Sequence, residues 1–292
     1  MSGKLSEVEG RIHTVHQLES VITAMRGSAA ARSHEAKSRL AAIQAYAAAV
    51  GGAIGEALAL APQSDPPAHA HEDAGGHAII ALCAEQGFAG TFSERVLETA
   101  EKHLTEEGAE LLVVGNRGTM VAAEHGLTVT WFAPMIAHAD DVPRLADQIS
   151  DAIYSRLEKN RMRRATVIHA VPAQSASIVI VERTLLPFDY ARFKAKPLAM
   201  PPLITLPAEQ LLGELAEEYV YAELCEDVML AFAAENEARM RAMIAARSNV
   251  VRKLDELVGN FRRLRQDEIT DEIIELSAGS IAASSSASRK HG

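Results

Sequence analysis

Histidines and carboxylates are the side chains of this 292-residue chain that could do chemistry. His69, His71 and His77 fall close together, and imidazoles within reach of one another could hold zinc or nickel. They lie among Pro62, Pro66, Pro67, Gly75 and Gly76, in a stretch with neither helical nor strand spacing. Residues 61–76 therefore read as a solvated linker, and no metal is expected there. Glu85, His103, His125, His138 and His169 show no spacing typical of a metal or catalytic centre. A general base among them would need neighbours brought by the fold. No serine nucleophile elbow, His-Glu-x-x-His or paired-carboxylate motif stands out. The sequence predicts no active site of its own and no cofactor.

Two glycine turns come next. Glu85-Gln86-Gly87-Phe88-Ala89-Gly90-Thr91-Phe92 follows one apolar run, and Gly115-Asn116-Arg117-Gly118 follows another. Neither carries the dinucleotide fingerprint or a phosphate loop ending in Gly-Lys-Ser/Thr. The second faintly resembles the turn of nucleotide-binding universal stress proteins, but Gly126 lacks that family's spacing and its Ser/Thr neighbour. Tight turns explain these glycines more simply. Arg262-Arg263-Leu264-Arg265, followed by Asp267, Glu268, Asp271, Glu272 and Glu275, flips sign within about three helical turns. Taken alone this is a solvated helix face. A rod gripped by acidic partner surfaces would use the same run.

The elements that must position these residues are dominated by the two chain ends. Residues 208–283 read as one helix in which Arg247, Val250, Leu254, Leu257, Phe261 and Leu264 step by three and four. Apart from Arg247 this is a heptad seam, which wants a partner along its length. At roughly 1.5 Å per residue such a helix would be a rod of about 110 Å. The partner available is the N-terminal stretch, residues 1–60, with its stripe of Leu5, Val8, Ile12, Val15, Leu18, Ile22 and Met25. Its stripe thins to Ala24, Gly27, Ser28, Ala29, Ala30 and Ala31, small residues that reduce a helix's girth, and resumes with Leu40, Ile43, Val50 and Ile54.

Between the ends, residues 75–186 alternate strand and helix patterns and predict an α/β domain of about five strands. The sheet should be mostly parallel, with the last two strands forming an antiparallel edge. A second proline-rich connection, 187–207, leads into the last helix, and the Ser-rich stretch 284–292 reads as a disordered tail.

Composition agrees with long helices, since aromatics make up only 4%. A net charge of −10 argues against nonspecific nucleic-acid binding. Cys83 and Cys225 suggest no disulfide framework, as in a reducing cytoplasm. Residues 1–13 lack the apolar centre of a signal peptide, and the Ala/Gly-rich run 41–61 carries Gln44 and Glu56, so no membrane span is expected.

Both ends and the middle resemble the γ subunit of F-type ATP synthases. Ile12-His13-Thr14-Val15, Val21-Ile22-Thr23-Ala24-Met25 and Ala29-Ala30-Ala31-Arg32 are similar to that family's opening helix. Ala238-Arg239-Met240-Arg241-Ala242-Met243 and Arg265-Gln266-Asp267-Glu268-Ile269-Thr270-Asp271-Glu272-Ile273 resemble its most distinctive block, and Glu85 to Gly90 its glycine-rich turn. The resemblance implies an antiparallel coiled coil of the two end helices with an inserted Rossmann-like domain at its base. It also implies a noncatalytic rotor that couples ion flow through the membrane c-ring to ATP synthesis or hydrolysis on the β subunits.

Carried over residue by residue, Met25, Arg26, Arg32, Arg265, Gln266, Thr270 and Glu272 would meet the ring of α and β subunits. Glu85, Gln86, Gly87 and Gly90 would face the ε subunit and c-ring. The expected place is the cytoplasmic face of a bacterial inner membrane, attached only through partners. Departures are Thr23 for a lysine, Gly27-Ser28 for larger apolar residues, and Glu85-Gln86, Ala89 and Thr91 for Asp-Arg, Cys and Gly. They fit a divergent branch, such as the γ of a second, alternative ATPase. The competing expectation from the residues is a small-molecule or nucleotide-binding α/β module with coiled-coil arms.

Overall fold

The structure, a computed structural model, describes residues 2–60, 75–159, 161–173, 178–195 and 203–288. His69, His71, residues 196–202 of the second connection and residues 289–292 lie outside the described residues. The order of elements is α1 (Ser2–Leu60), β1 (Gly76–Leu82), α2 (Phe92–His103), β2 (Ala109–Val114), α3 (Asn116–Glu124), β3 (Val129–Ala133), α4 (Val142–Glu158), β4 (Met162–Val171), β5 (Val179–Leu186) and α5 (Ala208–Ser288). The last helix runs past its expected end at Ala283 to Ser288, through a stretch with no Pro or Gly to stop it.

Contacts gather the chain into two units, and both long helices contribute to each. The first comprises Met1–Gly27 and Met243–Gly292. On α1 the sheltered positions are Leu5, Val8, Ile12, Val15, Glu19, Ile22 and Arg26, an unbroken alternation of three and four. Met25 is half-buried beside Arg26. Leu18, expected in the stripe, is instead 49% exposed. The heptad phase that follows Val15 falls on Glu19, and hydrophobicity alone had favoured its neighbour. Glu19 answers the irregularity at the other strand of the seam: Arg247 Nη2 lies 3.3 Å from its carboxylate. On α5 the seam is Met243, Val250, Leu254, Leu257, Phe261 and Leu264, with Glu268 as the last sheltered residue up to Ser277.

The second unit, Ser28–Ala242, contains the sheet. Its strand order is β3-β2-β1-β4-β5, with β1, β2, β3 and β4 parallel and β5 antiparallel to β4. Parallel strands joined by helices are covered on both faces, and β1 is accordingly apolar from Ala78 to Leu82. Ala78, Ile80 and Leu82 of β1 point to a cluster with Leu145, Ile149 and Ile153 of α4 and Val220, Leu224, Val228 and Phe232 of α5. Ile79 and Ala81 point to the other cluster, with Phe92, Val96 and Leu97 of α2 and Val121 and Ala122 of α3.

In this unit α1 and α5 also run antiparallel, as their paired residues show: Lys37 with Glu237, Gln44 with Glu226 and Tyr46 with Glu218. α1 includes a stretch of mean hydropathy 1.3, long and apolar enough by itself to cross a membrane. Here Val50, Ile54 and Ala57 of that helix are buried in the protein. Gly55 meets the chain so closely that a β-carbon would lie 2.7 Å from the carbonyl oxygen of Lys194. That contact gives a packing reason for a glycine in mid-helix, where it costs about 1 kcal/mol against alanine.

Candidate partner-binding surfaces and the polar networks behind them

The glycine turn after β1 is held by side chains from three directions. Glu85 folds back across the C-terminal edge of the sheet, where its carboxylate accepts from the backbone N–H groups of Asn116 (3.1 Å) and Met135 (2.8 Å) and from the Asn116 amide. It thereby ties together the ends of β1, β2 and β3. The carbonyls of Gln86 and Gly87 accept from the Arg239 guanidinium on α5 at 3.2 and 3.3 Å. Arg239 also donates to Glu235 at 2.5 Å and to Asn236 at 3.3 Å. Glu235 accepts in turn from the backbone of Glu85 and Gln86. Burial raises the Glu235 pKa even with Arg239 beside it. Gln86, Gly87 and Gly90 remain exposed, and Phe88, at φ 64°, presents a side chain that is 67% exposed.

This arrangement bears on ligand binding. Open α/β sheets take their ligands at the C-terminal ends of the strands, where crossovers diverge to either side. Here β1 sits between β2 and β4, and around the turn that follows it Glu85 is engaged by Asn116 and Glu235 by Arg239. Gly118, singled out as a turn glycine, packs onto β1: a β-carbon there would lie 2.3 Å from that of Cys83.

A second network lies between the sheet and α5. Arg183 of β5 places one nitrogen 2.9 Å from Glu226 and 3.0 Å from Asp227, and Arg192 reaches Glu223 at 2.5 Å. Gln44 of α1 donates to Glu226 at 2.9 Å. His169 of β4 is fully buried 3.6 Å from Asp227. Burial lowers the His169 pKa to about 4 and pushes Asp227 well above the ordinary carboxylate range. Three carboxylates within two turns of helix are thus matched by two arginines, and the group is closed off from solvent at its centre.

The third group is on the α2 face. His77 of β1, His103 at the end of α2 and Glu106 just beyond it bring ligand-type atoms within 4.8 Å of one another. His125 and His138, by contrast, are exposed at turns. Spacing could not reveal the first trio, because His77 and Glu106 are joined only by the sheet-to-helix crossover.

Of the residues expected to meet the catalytic ring, Arg265, Gln266, Thr270 and Glu272 are all exposed on α5, near and past the end of the seam. Thr270 donates its hydroxyl to the Gln266 backbone carbonyl at 2.9 Å. Arg26 and Met25 are half-buried on α1 in the same unit, and Arg32 is half-buried in the other. The sequence reading missed an apolar surface here. Ile269, Ile273 and Leu276 are 48, 57 and 75% exposed at spacings of four and three, along one side of α5. The signal was present, since the heptad phase runs through Leu264 and Glu268 and leaves those three aside.

Comparison with known proteins decides what these surfaces belong to. The ATP synthase family matches residues 4–283. The ATP synthase gamma chain of Frankia casuarinae is 30% identical, over 98% of this chain and 99% of its own. This chain belongs to the ATP synthase gamma-chain family. The gamma chain of Acidithiobacillus ferrooxidans is 28% identical over 94% of this chain and 98% of its own. A chain of the Euglena gracilis mitochondrial ATP synthase, from its OSCP/F1/c-ring assembly, shares the fold with a TM-score of 0.67 at 11% identity. That likeness covers 97% of this chain and 95% of the other. A chain of the same organism's rotor gives 0.60 at 12% identity, covering 92% and 100%. The gamma-chain fold is therefore the one read from the residues: long end helices paired antiparallel, with a five-stranded mixed sheet inserted between them.

Proposed function

We propose that this chain is the central-stalk rotor of a bacterial F-type ATP synthase, noncatalytic itself. In this reading the α and β subunits surround the paired helices, and the ε subunit and membrane c-ring meet the sheet-bearing unit at the Glu85–Gly90 turn. Ion flow through the membrane sector turns the stalk, and its changing face drives the β subunits through different states. The chain would reside on the cytoplasmic face of the inner membrane, attached through its partners.

The observation that carries this reading is the whole-length family match. The surface supports it. Ala24, Gly27, Ser28, Ala30 and Ala31 are exposed on α1, so the helix is slim along that stretch. A turning shaft also needs a surface that interlocks with no single subunit, and mixed charge with small side chains supplies one. Glu85, Glu235 and Arg239 are engaged by the turn after β1 and its neighbours, which counts against a nucleotide held by those groups.

The test is coexpression with the α and β subunits of the same genome, followed by native mass and ATP hydrolysis. A complex with one copy of this chain, and hydrolysis that depends on it, is expected. Assembly and full hydrolysis by α and β while this chain elutes alone would refute the reading for that partner set.

A further inference from the structure

A cluster that the stalk role leaves unused is the histidine pair on the α2 face of the sheet. His77 is 4% exposed at the start of β1, and His103 closes α2. Their rings stand edge to face, with centroids 5.6 Å apart. The Nδ1 atoms of both rings face the Glu106 carboxylate: His77 lies 3.2 Å from Oε2 and His103 lies 3.9 Å from Oε1. Two ligands on a tetrahedral zinc ion, each about 2.0–2.1 Å from it, sit about 3.3 Å apart. The three groups offer ligand atoms that all lie within 4.8 Å of one another, so a small closing movement would bring them to that separation.

Their outer partners matter as much. His103 Nε2 is 2.7 Å from the Glu182 carboxylate, which can only accept, so this nitrogen carries a proton and donates. In the neutral ring the bare Nδ1 lone pair is then left facing another carboxylate oxygen. A divalent cation placed between them would be held by both. His77 Nε2 lies 2.8 Å from the Thr166 hydroxyl, which fixes that ring as well. Metal-binding histidines are held in the same way, with the far nitrogen bound to a carboxylate or hydroxyl that sets tautomer and orientation. Arg164 occupies Oε2 of Glu106, which leaves Oε1 for an ion.

From this geometry we infer that His77 Nδ1, His103 Nδ1 and Glu106 Oε1 form a binding site for a borderline divalent ion such as zinc, backed by Thr166 and Glu182. Two nitrogens and one oxygen leave a further position for water on the partly exposed His103 and Glu106 side. The ion would fasten the end of α2 and its following turn to β1, with β4 and β5 behind it. This assignment is independent of the stalk role.

The experiment is zinc titration of the full chain by calorimetry, after chelator treatment. His69 and His71 are replaced by Ala throughout, so that the signal reports the folded site. One zinc per chain is expected, with a rise in Tm on loading. H103Q and E106Q should each weaken binding at least tenfold while leaving the circular dichroism unchanged, and E182Q should weaken it less. Cobalt in place of zinc should give visible bands that H103Q abolishes. No saturable binding, or binding undiminished in H103Q and E106Q, would overturn the assignment and leave the trio as a hydrogen-bonded cluster.

Discussion

Between Val220 and Arg239, α5 is covered on nearly every side, whereas from Met243 to Ser277 most residues are exposed and the sheltered ones follow mainly one stripe. The covered half touches both apolar clusters and buries Glu223, Asp227, Glu235 and Arg239 among them. The open half offers a single stripe to α1 and leaves Ile269, Ile273 and Leu276 to solvent. One continuous helix thus does two jobs. In the sheet unit it is locked by ionic groups that have no water to fall back on, and in the paired-helix unit it is held lightly and presents a surface. Rigidity and accessibility are divided along the sequence of a single element.

That contrast can be broken at either half. The largest effect is expected at Arg239: R239M leaves Glu235 buried without its cation and removes donors to the Gln86 and Gly87 carbonyls. A loss of about 3–5 kcal/mol in chemical denaturation is expected. E235L/R239M should recover part of it, and a single-variant loss below about 1 kcal/mol would mean that the pair is not locking. In the open half, L257A truncates a buried seam side chain held in a two-helix contact, and about 2 kcal/mol is expected, at the low end for Leu to Ala. An equal or larger loss than R239M would erase the distinction between the halves.

Acid should separate them too. Burial holds His169 at about 4 in the fold, against about 6.5 in the unfolded chain. As pH falls the unfolded chain takes up this proton first, so stability drops between about pH 6.5 and 4. H169Q removes that component, and its Tm should fall less than the native protein's between pH 7 and 4.5. Equal falls would assign the acid sensitivity elsewhere. The smallest effect is expected for L18K, within about 0.5 kcal/mol, because Leu18 stands off the seam. A loss near that of L257A would restore Leu18 to the stripe.

Periodicity made both long helices and the strand alternation legible, because burial on one stripe or both faces imprints a repeat on the residues. It failed at Leu18, where a polar Glu19 held the phase and paired with Arg247. It could not show that Glu85 turns inward to Asn116 and Met135, since a lone carboxylate in a glycine turn reads the same either way. His77, His103 and Glu106 were named or passed over singly, and only the crossover brings them together. The exposed positions Arg265, Gln266, Thr270 and Glu272 came from resemblance, because a solvated helix face has no pattern of its own.

The central claim is that the open half of α5 turns inside a ring of partners. Cys83 and Cys225 are buried, so a cysteine placed at Gln266 gives a selective handle. The measurement is ATP hydrolysis by the assembled complex before and after joining that cysteine to the surrounding subunits with a cleavable thiol-to-amine cross-linker. Hydrolysis should fall on cross-linking and return on cleavage. A cross-linked complex that hydrolyses ATP at its full rate would contradict the claim.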